Sequence, residues 1–357
     1  MNHGDPVLLH TQGRVRHIIL NRPRALNALN HAMVVRVGAA LADAERDDSI
    51  TAVLITGAGE RGLCAGGDIR TIHDDARAGG GTSLDFWRDE YRLNARIARF
   101  PKPYVAIMDG IVMGGGVGVS AHGDIRVVTE RSRIAMPETG IGFVPDVGGT
   151  HLLGAAPGEL GTHLALTADA VGAADALLCG LADHFVPSQR LDGLITELAG
   201  CGTAAEIEET VRRYASPAPQ GELAAHREWI DSCYRADTVE EIIDRLDRSG
   251  VPAAKGAAEA ILGKSPTALK VTLSALRRAR GLGSLEAVLD QEYRTSCTAF
   301  TRPDLVEGVR AQIIDKDRDP RWSPASLAEV TEADVALFFA PLGDRELGLA
   351  AAPGATA

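Results

Sequence analysis

The stretch Asp109-Gly110-Ile111-Val112-Met113-Gly114-Gly115-Gly116-Val117-Gly118-Val119-Ser120 constrains this chain more than any other. It follows an apolar run over residues 104–108 that reads as a buried strand, and it leads into an apolar, helix-like segment. A helix that begins at such a turn directs unpaired backbone N–H groups, and the positive end of its dipole, at whatever occupies the turn. Gly114, Gly116 and Gly118 miss the G-x-G-x-x-G spacing and no Gly-Lys-Ser/Thr follows, so neither a dinucleotide fingerprint nor a phosphate loop fits. Two uses remain: close helix packing, or amides turned outward to hold a developing oxyanion.

The surrounding sequence supplies layers for that turn to sit between. Short apolar runs at 7–9 and 15–20, divided by Gly13, read as a hairpin. Between residues 31 and 45, Met33, Val34, Val37, Ala40, Leu41 and Ala44 recur at spacings of three and four, which predicts a helix with one apolar face. Residues 52–56 and 125–129 read as further strands. Thr82 or Ser83 is placed to cap a helix that Pro101 and Pro103 stop near Phe100. Strands alternating with helices predict an α/β fold over residues 5–190. Beyond about 190 the β-branched runs vanish, and Ala, Leu, Glu and Arg take helical spacing at 204–214, 239–246 and 265–280. A mostly helical region over 191–341 is therefore expected, broken at 216–221, with a flexible Gly- and Ala-rich tail over 342–357.

Composition narrows the function classes. The 357 residues are 45% hydrophobic and 24% charged, as in ordinary globular chains. With 37 basic against 48 acidic side chains and no long basic run, the net charge of −11 argues against nucleic acid as a partner. No run of about 18 apolar residues predicts a membrane span. The opening MNHGDPVLLH shows neither a secretory nor an amphipathic leader pattern, so a cytoplasmic location is expected. Cys64, Cys179, Cys201, Cys233 and Cys297 are scattered singly, without Cys-x-x-Cys or zinc-ligand spacing, and read as reduced and buried.

Two more segments carry candidate chemistry. Leu63-Cys64-Ala65-Gly66-Gly67-Asp68-Ile69 is a small-residue turn whose paired glycines let a backbone approach a ligand, although a plain loop reads equally well. Residues 136–150, Met-Pro-Glu-Thr-Gly-Ile-Gly-Phe-Val-Pro-Asp-Val-Gly-Gly-Thr, hold Glu138 and Asp146 in an apolar, glycine-broken stretch. Solvated loop acids are one reading. The other starts from the cost of burying an idle charge: proline and glycine forbid a continuous helix here, so the loop can curl and bring both carboxylates to a common cleft.

Taken in order, C-A-G-G-D-I, M-G-G-G-V-G and P-E-T-G-I-G-F-V-P-D-V-G-G-T resemble the crotonase (enoyl-CoA hydratase/isomerase) superfamily, and within it the 3-hydroxyisobutyryl-CoA hydrolase branch. Residues 86–94 (FWRDEYRLN), 102–106, 307–311 and 314–317, with Pro320 and Trp322, read like that branch as well, so the likeness covers nearly the whole chain. The resemblance implies a spiral of strand-strand-helix turns followed by helices that pack on it and support trimers. It implies that the backbone amides of Ala65 and Gly115 hold a thioester oxygen, with Gly66, Asp68 and Gly114 beside the substrate. Glu138 matches the family's retained glutamate, and Asp146 an acid that hydrolases carry. Where hydratases carry a second glutamate this chain has Gly118, which has no side chain to offer. Glu90, flanked by Asp85, Arg88, Asp89 and Arg92, reads from its neighbours as part of a solvated helix face. The resemblance instead moves it to the acyl pocket, where it accepts a hydrogen bond from a substrate hydroxyl.

The implied activity is hydrolysis of 3-hydroxyisobutyryl-CoA, or a similar short 3-hydroxyacyl-CoA, to the free acid and coenzyme A, a step of valine breakdown. It uses no metal or redox cofactor. An enoyl-CoA hydratase or isomerase on the same scaffold, and a non-catalytic acyl-CoA-binding protein, are the alternatives. Lys316 and Arg310 are candidates for the nucleotide phosphates, with solvated salt bridges as the plainer assignment.

Overall fold

A computed structural model describes residues 4–350. The N-terminal hairpin forms from β1 (Val7–Gln12) and β2 (Val15–Leu20), antiparallel, with Val7 opposite Leu20. The other strands are β3 (Ala52–Gly57), β4 (Tyr104–Met108), β5 (Ile111–Met113), β6 (Ile125–Val128), β7 (Arg133–Ala135) and β8 (His184–Phe185). The main sheet runs β1-β2-β3-β4-β6-β8, and every pair after the hairpin is parallel. All five residues of β4 are buried, as expected for a central parallel strand covered on both faces.

A second, parallel sheet joins β5 to β7. Single bridges from Cys64 to Val112 and from Ile134 to Val171 extend it at both sides. Residues 64, 112, 134 and 171 thus mark successive turns of one spiral, in which the chain gives a strand to the main sheet and then a shorter one to the second. The glycine turn over 110–118 lies on this path.

Helices cover the main sheet for the reason their sequences suggested. The helix His31–Arg46 buries Met33, Val34, Val37, Ala40, Leu41 and Ala44, and the Asn30 side chain caps it by accepting from the Met33 amide. Leu54, Val105, Ile107 and Val127 of the sheet pack into one core with Leu191, Leu194 and Leu198 of helix Leu191–Leu198 and with Ile207 and Val211 of helix Ala204–Tyr214.

The chain forms two compact units that interleave along the sequence. The first holds residues 4–68, 92–135 and 171–222, and the second 69–91, 136–170 and 223–350. A single cut at residue 190 is therefore not the division the structure makes. The helices between 191 and 214 belong with the sheet because its apolar face needs them. Segments 69–91 and 136–170 group with the C-terminal helices; helix Leu160–Thr167, for example, is buried on every side.

The expected flexible tail is also corrected for its described part. Glu346 pairs with Arg294 at 2.9 Å, the amides of Leu349 and Ala350 donate to Asp290, and Leu347 is buried. One acid and one leucine anchor what the Gly/Ala content made look loose, while residues 351–357 lie outside the described range. All five cysteines are buried and none is in a disulfide. Among the described residues no helix is long and apolar enough to cross a membrane.

Within the second unit an aromatic cluster gathers three elements. Trp87, on the helix Thr82–Ala98, stacks on Phe143 with centroids 5.1 Å apart and meets Phe300 edge-on at 5.7 Å. Phe143 lies in the loop between Glu138 and Asp146, and Phe300 ends the helix Leu285–Phe300. These elements carry the acids described next.

Candidate active site

After β7 the chain turns at Pro137 into a single 3-10 turn, Glu138–Ile141, which ends on Gly142. Gly142 has φ +71°, and a Cβ there would lie 2.2 Å from the Asp304 carbonyl oxygen, so only glycine lets the loop press onto the C-terminal region. The Phe143 amide then donates to the Glu138 carbonyl, and the Ser265 amide to that of Thr139. This curl buries both loop acids at 5% exposure each, Glu138 with its Oε2 lacking a hydrogen-bond partner among the described residues.

Asp146 is held from the helix Thr82–Ala98. The Tyr91 hydroxyl donates to Asp146 Oδ2 at 2.6 Å and also contacts Ser296 Oγ at 2.7 Å. Glu90, beside Tyr91, is 2% exposed and its Oε1 is also without a partner among the described residues. Its burial contradicts the solvated face that its charged neighbours suggested. Trp87 explains the difference, because residues three and four positions further along a helix share its face, and Trp87 is anchored against Phe143. A fourth acid, Glu292, accepts from the Gly148 amide at 2.6 Å and from the Thr150 amide and hydroxyl at 2.8 and 2.6 Å. It fixes the turn immediately after Asp146.

Four buried carboxyl groups lie here, and the charges that raise Glu90, Glu138 and Glu292 are those of other members of the group. Burial raises Glu138 well above the usual carboxylate range, and the nearby charge of Asp146 raises it further. Glu90 is raised in the same way. Asp146 is pushed up by burial to about 7, opposed by the Tyr91 hydrogen bond. Glu292 is pushed by burial to about 8, opposed by the donors from Thr150 and Gly148. The group therefore shares protons at neutral pH and titrates as a coupled set. A carboxyl poised in this way, with an unpartnered oxygen, can serve as base, acid or nucleophile.

The two glycine turns fall in the first unit and lie against each other. Gly115–Gly118 form one helical turn, and the Gly115 and Gly116 amides precede its first internal bond. A Cβ on Gly66 would lie 3.8 Å from the Gly115 nitrogen. Gly118 is buried. Ala65 is a correction: its amide donates to the Leu26 carbonyl at 3.0 Å and is not turned outward. Leu29 takes up the Gly66 carbonyl and the Asp68 amide, so the Gly67 amide between them points away from Leu29. It has no partner among the described residues.

Gly66 and Gly114 also use their backbone groups within the fold. The Gly66 carbonyl accepts from Leu29, and the Gly114 amide donates to Ala135. What remains for them at a ligand is shape. Asp68 forms an ion pair with Arg22 at 2.8 Å. Arg310 is engaged by Glu307, Asp315 and Asp317, in line with its plainer assignment.

Sequence reasoning missed Tyr91, Gly67, Glu292 and Ser296. The available signal for Glu292 was a charge within an apolar stripe, since Leu285, Val288, Leu289, Glu292 and Ser296 recur at helical spacing.

The family model for enoyl-CoA hydratase/isomerase matches residues 15–339. The chain belongs to the enoyl-CoA hydratase/isomerase family, and its spiral core with a helical C-terminal region is the crotonase fold. It is 42% identical over 348 residues to the mitochondrial 3-hydroxyisobutyryl-CoA hydrolase of Rattus norvegicus, covering 96% of this chain and 90% of that protein. It is 41% identical over 350 residues to the Homo sapiens protein of the same name, with coverages of 96% and 90%. Among solved structures, a carnitinyl-CoA dehydratase from Mycobacterium thermoresistibile superposes with a TM-score of 0.93 at 52% identity, covering 98% of this chain and 100% of that one. An enoyl-CoA hydratase from Rhodobacter sphaeroides 2.4.1 gives 0.90 at 43% identity, with coverages of 96% and 99%.

Proposed function

We propose that this chain hydrolyses the thioester of a short 3-hydroxyacyl-CoA, foremost 3-hydroxyisobutyryl-CoA, releasing the free acid and coenzyme A. The observation that carries the reading is the buried pair Glu138 and Asp146, combined with a bare glycine at position 118. Adding water across a double bond calls for acids working as proton donor and acceptor on the substrate, and Gly118 cannot supply the second. The names of the 40–42% identical relatives point the same way.

On this reading Glu138 acts on the thioester carbonyl. As a nucleophile its carboxylate adds to the carbonyl carbon, the C–S bond breaks, and the coenzyme A thiolate leaves and takes up a proton. Water then splits the mixed anhydride and restores the carboxylate. As a base, Glu138 instead takes the proton of a water that adds to the carbonyl carbon, the C–S bond breaks, and the leaving thiolate takes that proton back from Glu138. Asp146 orients that carboxylate or the water. The amides of Gly115 and Gly67, the latter in place of Ala65, receive the negative oxygen, where fixed N–H groups stabilise developing charge. Glu90 accepts from the substrate hydroxyl, and Gly66, Gly114 and Asp68 shape the walls. No metal or redox cofactor enters these steps. The pathway is valine breakdown, the assembly a trimer-based homo-oligomer, and the location cytoplasmic. The relatives' names place those proteins in mitochondria.

A panel of 3-hydroxyisobutyryl-, 3-hydroxypropionyl-, isobutyryl- and crotonyl-CoA, assayed for free thiol, tests the reading. Thiol release from the two hydroxyacyl thioesters is expected. The 52% identical structure named a dehydratase favours a second reading on the same scaffold. That reading gains if crotonyl-CoA loses its enoyl absorbance while no substrate yields thiol. Binding without any turnover would leave a non-catalytic acyl-CoA-binding protein.

A further inference from the structure

Tyr91 has no role in the steps above, yet its side chain is fully buried and its hydroxyl makes two short contacts, to Asp146 Oδ2 at 2.6 Å and Ser296 Oγ at 2.7 Å. A phenol carries one proton. When Asp146 is ionised that proton goes to the carboxylate, so the Ser296 hydroxyl must donate to the phenolic oxygen. The result is a directed chain, Ser296 to Tyr91 to Asp146. The Tyr91 ring is held in turn by Tyr293, packed edge-on with centroids 6.1 Å apart.

We propose that Tyr91 is a positioning residue for the hydrolysis: oriented by Ser296, its hydroxyl fixes the plane of the Asp146 carboxylate and keeps it ionised amid the other buried acids. This rests on the hydrolase reading. The groups that face Asp146 are Tyr91 and Glu90 from the helix Thr82–Ala98, Glu138 from the preceding turn, and Glu292 from the helix Leu285–Phe300. Burial favours a protonated Asp146, whose charge in turn raises the other three acids. Tyr91 is the side-chain donor opposing that burial. The arrangement separates two carboxyl groups that would otherwise be alike: Asp146 has a donor on one oxygen, whereas Glu138 keeps an unpartnered Oε2. The Tyr91 bond engages one oxygen of Asp146 and leaves Glu138 the freer carboxyl to react, so Asp146 can orient a water or the reacting Glu138 without itself attacking.

The test uses the full chain and the thiol-release assay with 3-hydroxyisobutyryl-CoA, measuring kcat and KM across pH. Tyr91→Phe keeps the ring and removes the donor. Its acidic limb in kcat is expected to move up by about one pH unit or more, the size of a lost hydrogen bond to a charged group. At neutral pH kcat falls about tenfold and partly recovers on the alkaline side, with KM changed by less than about twofold. Ser296→Ala shifts the limb in the same direction by less. Tyr293→Phe, whose hydroxyl donates to the Leu84 carbonyl rather than to an acid, leaves the limb in place. An unshifted limb in Tyr91→Phe, or the same kcat loss at every pH, overturns the proposal. If Tyr91→Phe does not fold, an unshifted limb in Ser296→Ala overturns it instead. If the wild-type chain releases no thiol, the hydrolase reading fails by itself. Infrared titration of the carboxylate bands, with Asp146→Asn to assign them, then decides whether removing the hydroxyl raises Asp146.

Discussion

Gly116 sits so close beneath Cys64 that a Cβ on it would stand 2.3 Å from the Cys64 carbonyl oxygen. The same carbonyl accepts the Met113 amide, which ties the 63–69 turn to β5. The triple glycine is thus a packing device as well as a helix start: it lets the two amide-bearing turns lie in contact. Gly116→Ala should force them apart and lower stability by about 2 to 4 kcal/mol, within the range for overpacking at a strained backbone contact. Gly256→Ala offers the contrast, because it lies inside the helix Pro252–Leu262 with nothing within 4 Å of an added Cβ. That substitution should stabilise by about 0.5 to 1 kcal/mol. Denaturant midpoints of both variants check the pair, and equal shifts would mean that the Gly116 contact is not tight.

Removal of the Glu138 carboxyl should lower turnover sharply while sparing ligand affinity. Glu138→Gln keeps the side-chain volume, so kcat should fall by about a hundredfold to ten-thousandfold, the usual range for a lost acid–base group. Coenzyme A binding measured by calorimetry should stay within about threefold, since charged and polar contacts far from the reacting atoms are untouched. Wild-type thiol release from this variant would remove Glu138 from the chemistry.

Much of this was legible in the chain because it is local. The apolar stripe from Met33 to Ala44, the buried run of β4 and the prolines after Phe100 each encode their element within a few residues. Glu138 and Asp146 stood out because charge in a glycine-broken apolar stretch is costly. What could not be read depends on partners far along the chain. Glu90 looks solvated until Trp87 is known to stack on Phe143. Whether Ala65 or Gly67 turns its amide outward is set by Leu26 and Leu29, nearly 40 residues earlier. Glu292 shows in the sequence only as a charge on an apolar stripe, and what it holds is set where its helix meets the turn after Asp146.

Glu90 should set substrate choice. Its buried Oε1 lacks a partner, so an acyl chain bearing a hydroxyl satisfies it and one without leaves it unpaired, a difference worth about 1 to 3 kcal/mol. The ratio of kcat/KM for 3-hydroxyisobutyryl-CoA over isobutyryl-CoA should therefore drop about tenfold or more in Glu90→Ala. A ratio equal to the wild type's would assign the hydroxyl to another group.

The acid cluster should also leave its mark on folding. In the unfolded chain Asp146 and Glu292 titrate near 3.8 and 4.5, whereas in the folded protein they titrate near 7 and 8. Glu90 and Glu138 are raised as well. Between pH 6.5 and 8 the native state consequently binds more protons than the unfolded chain, and the free energy of unfolding falls as pH rises, by about 1.4 kcal/mol per pH unit for each proton retained. Half-buried His17 and buried His163, both lowered to about 4 by loss of solvent, act oppositely: they weaken the fold as pH drops below 6.5 toward 4. The two windows overlap between about pH 4 and 6.5, where the effects oppose each other, so the acids are read above 6.5, where the histidines no longer contribute. The thermal midpoint of the unliganded protein should decline from pH 6.5 to 8, and Asp146→Asn and Glu292→Gln should each flatten that decline. A wild-type midpoint that rises over this interval would mean that these carboxyl groups enter the fold ionised.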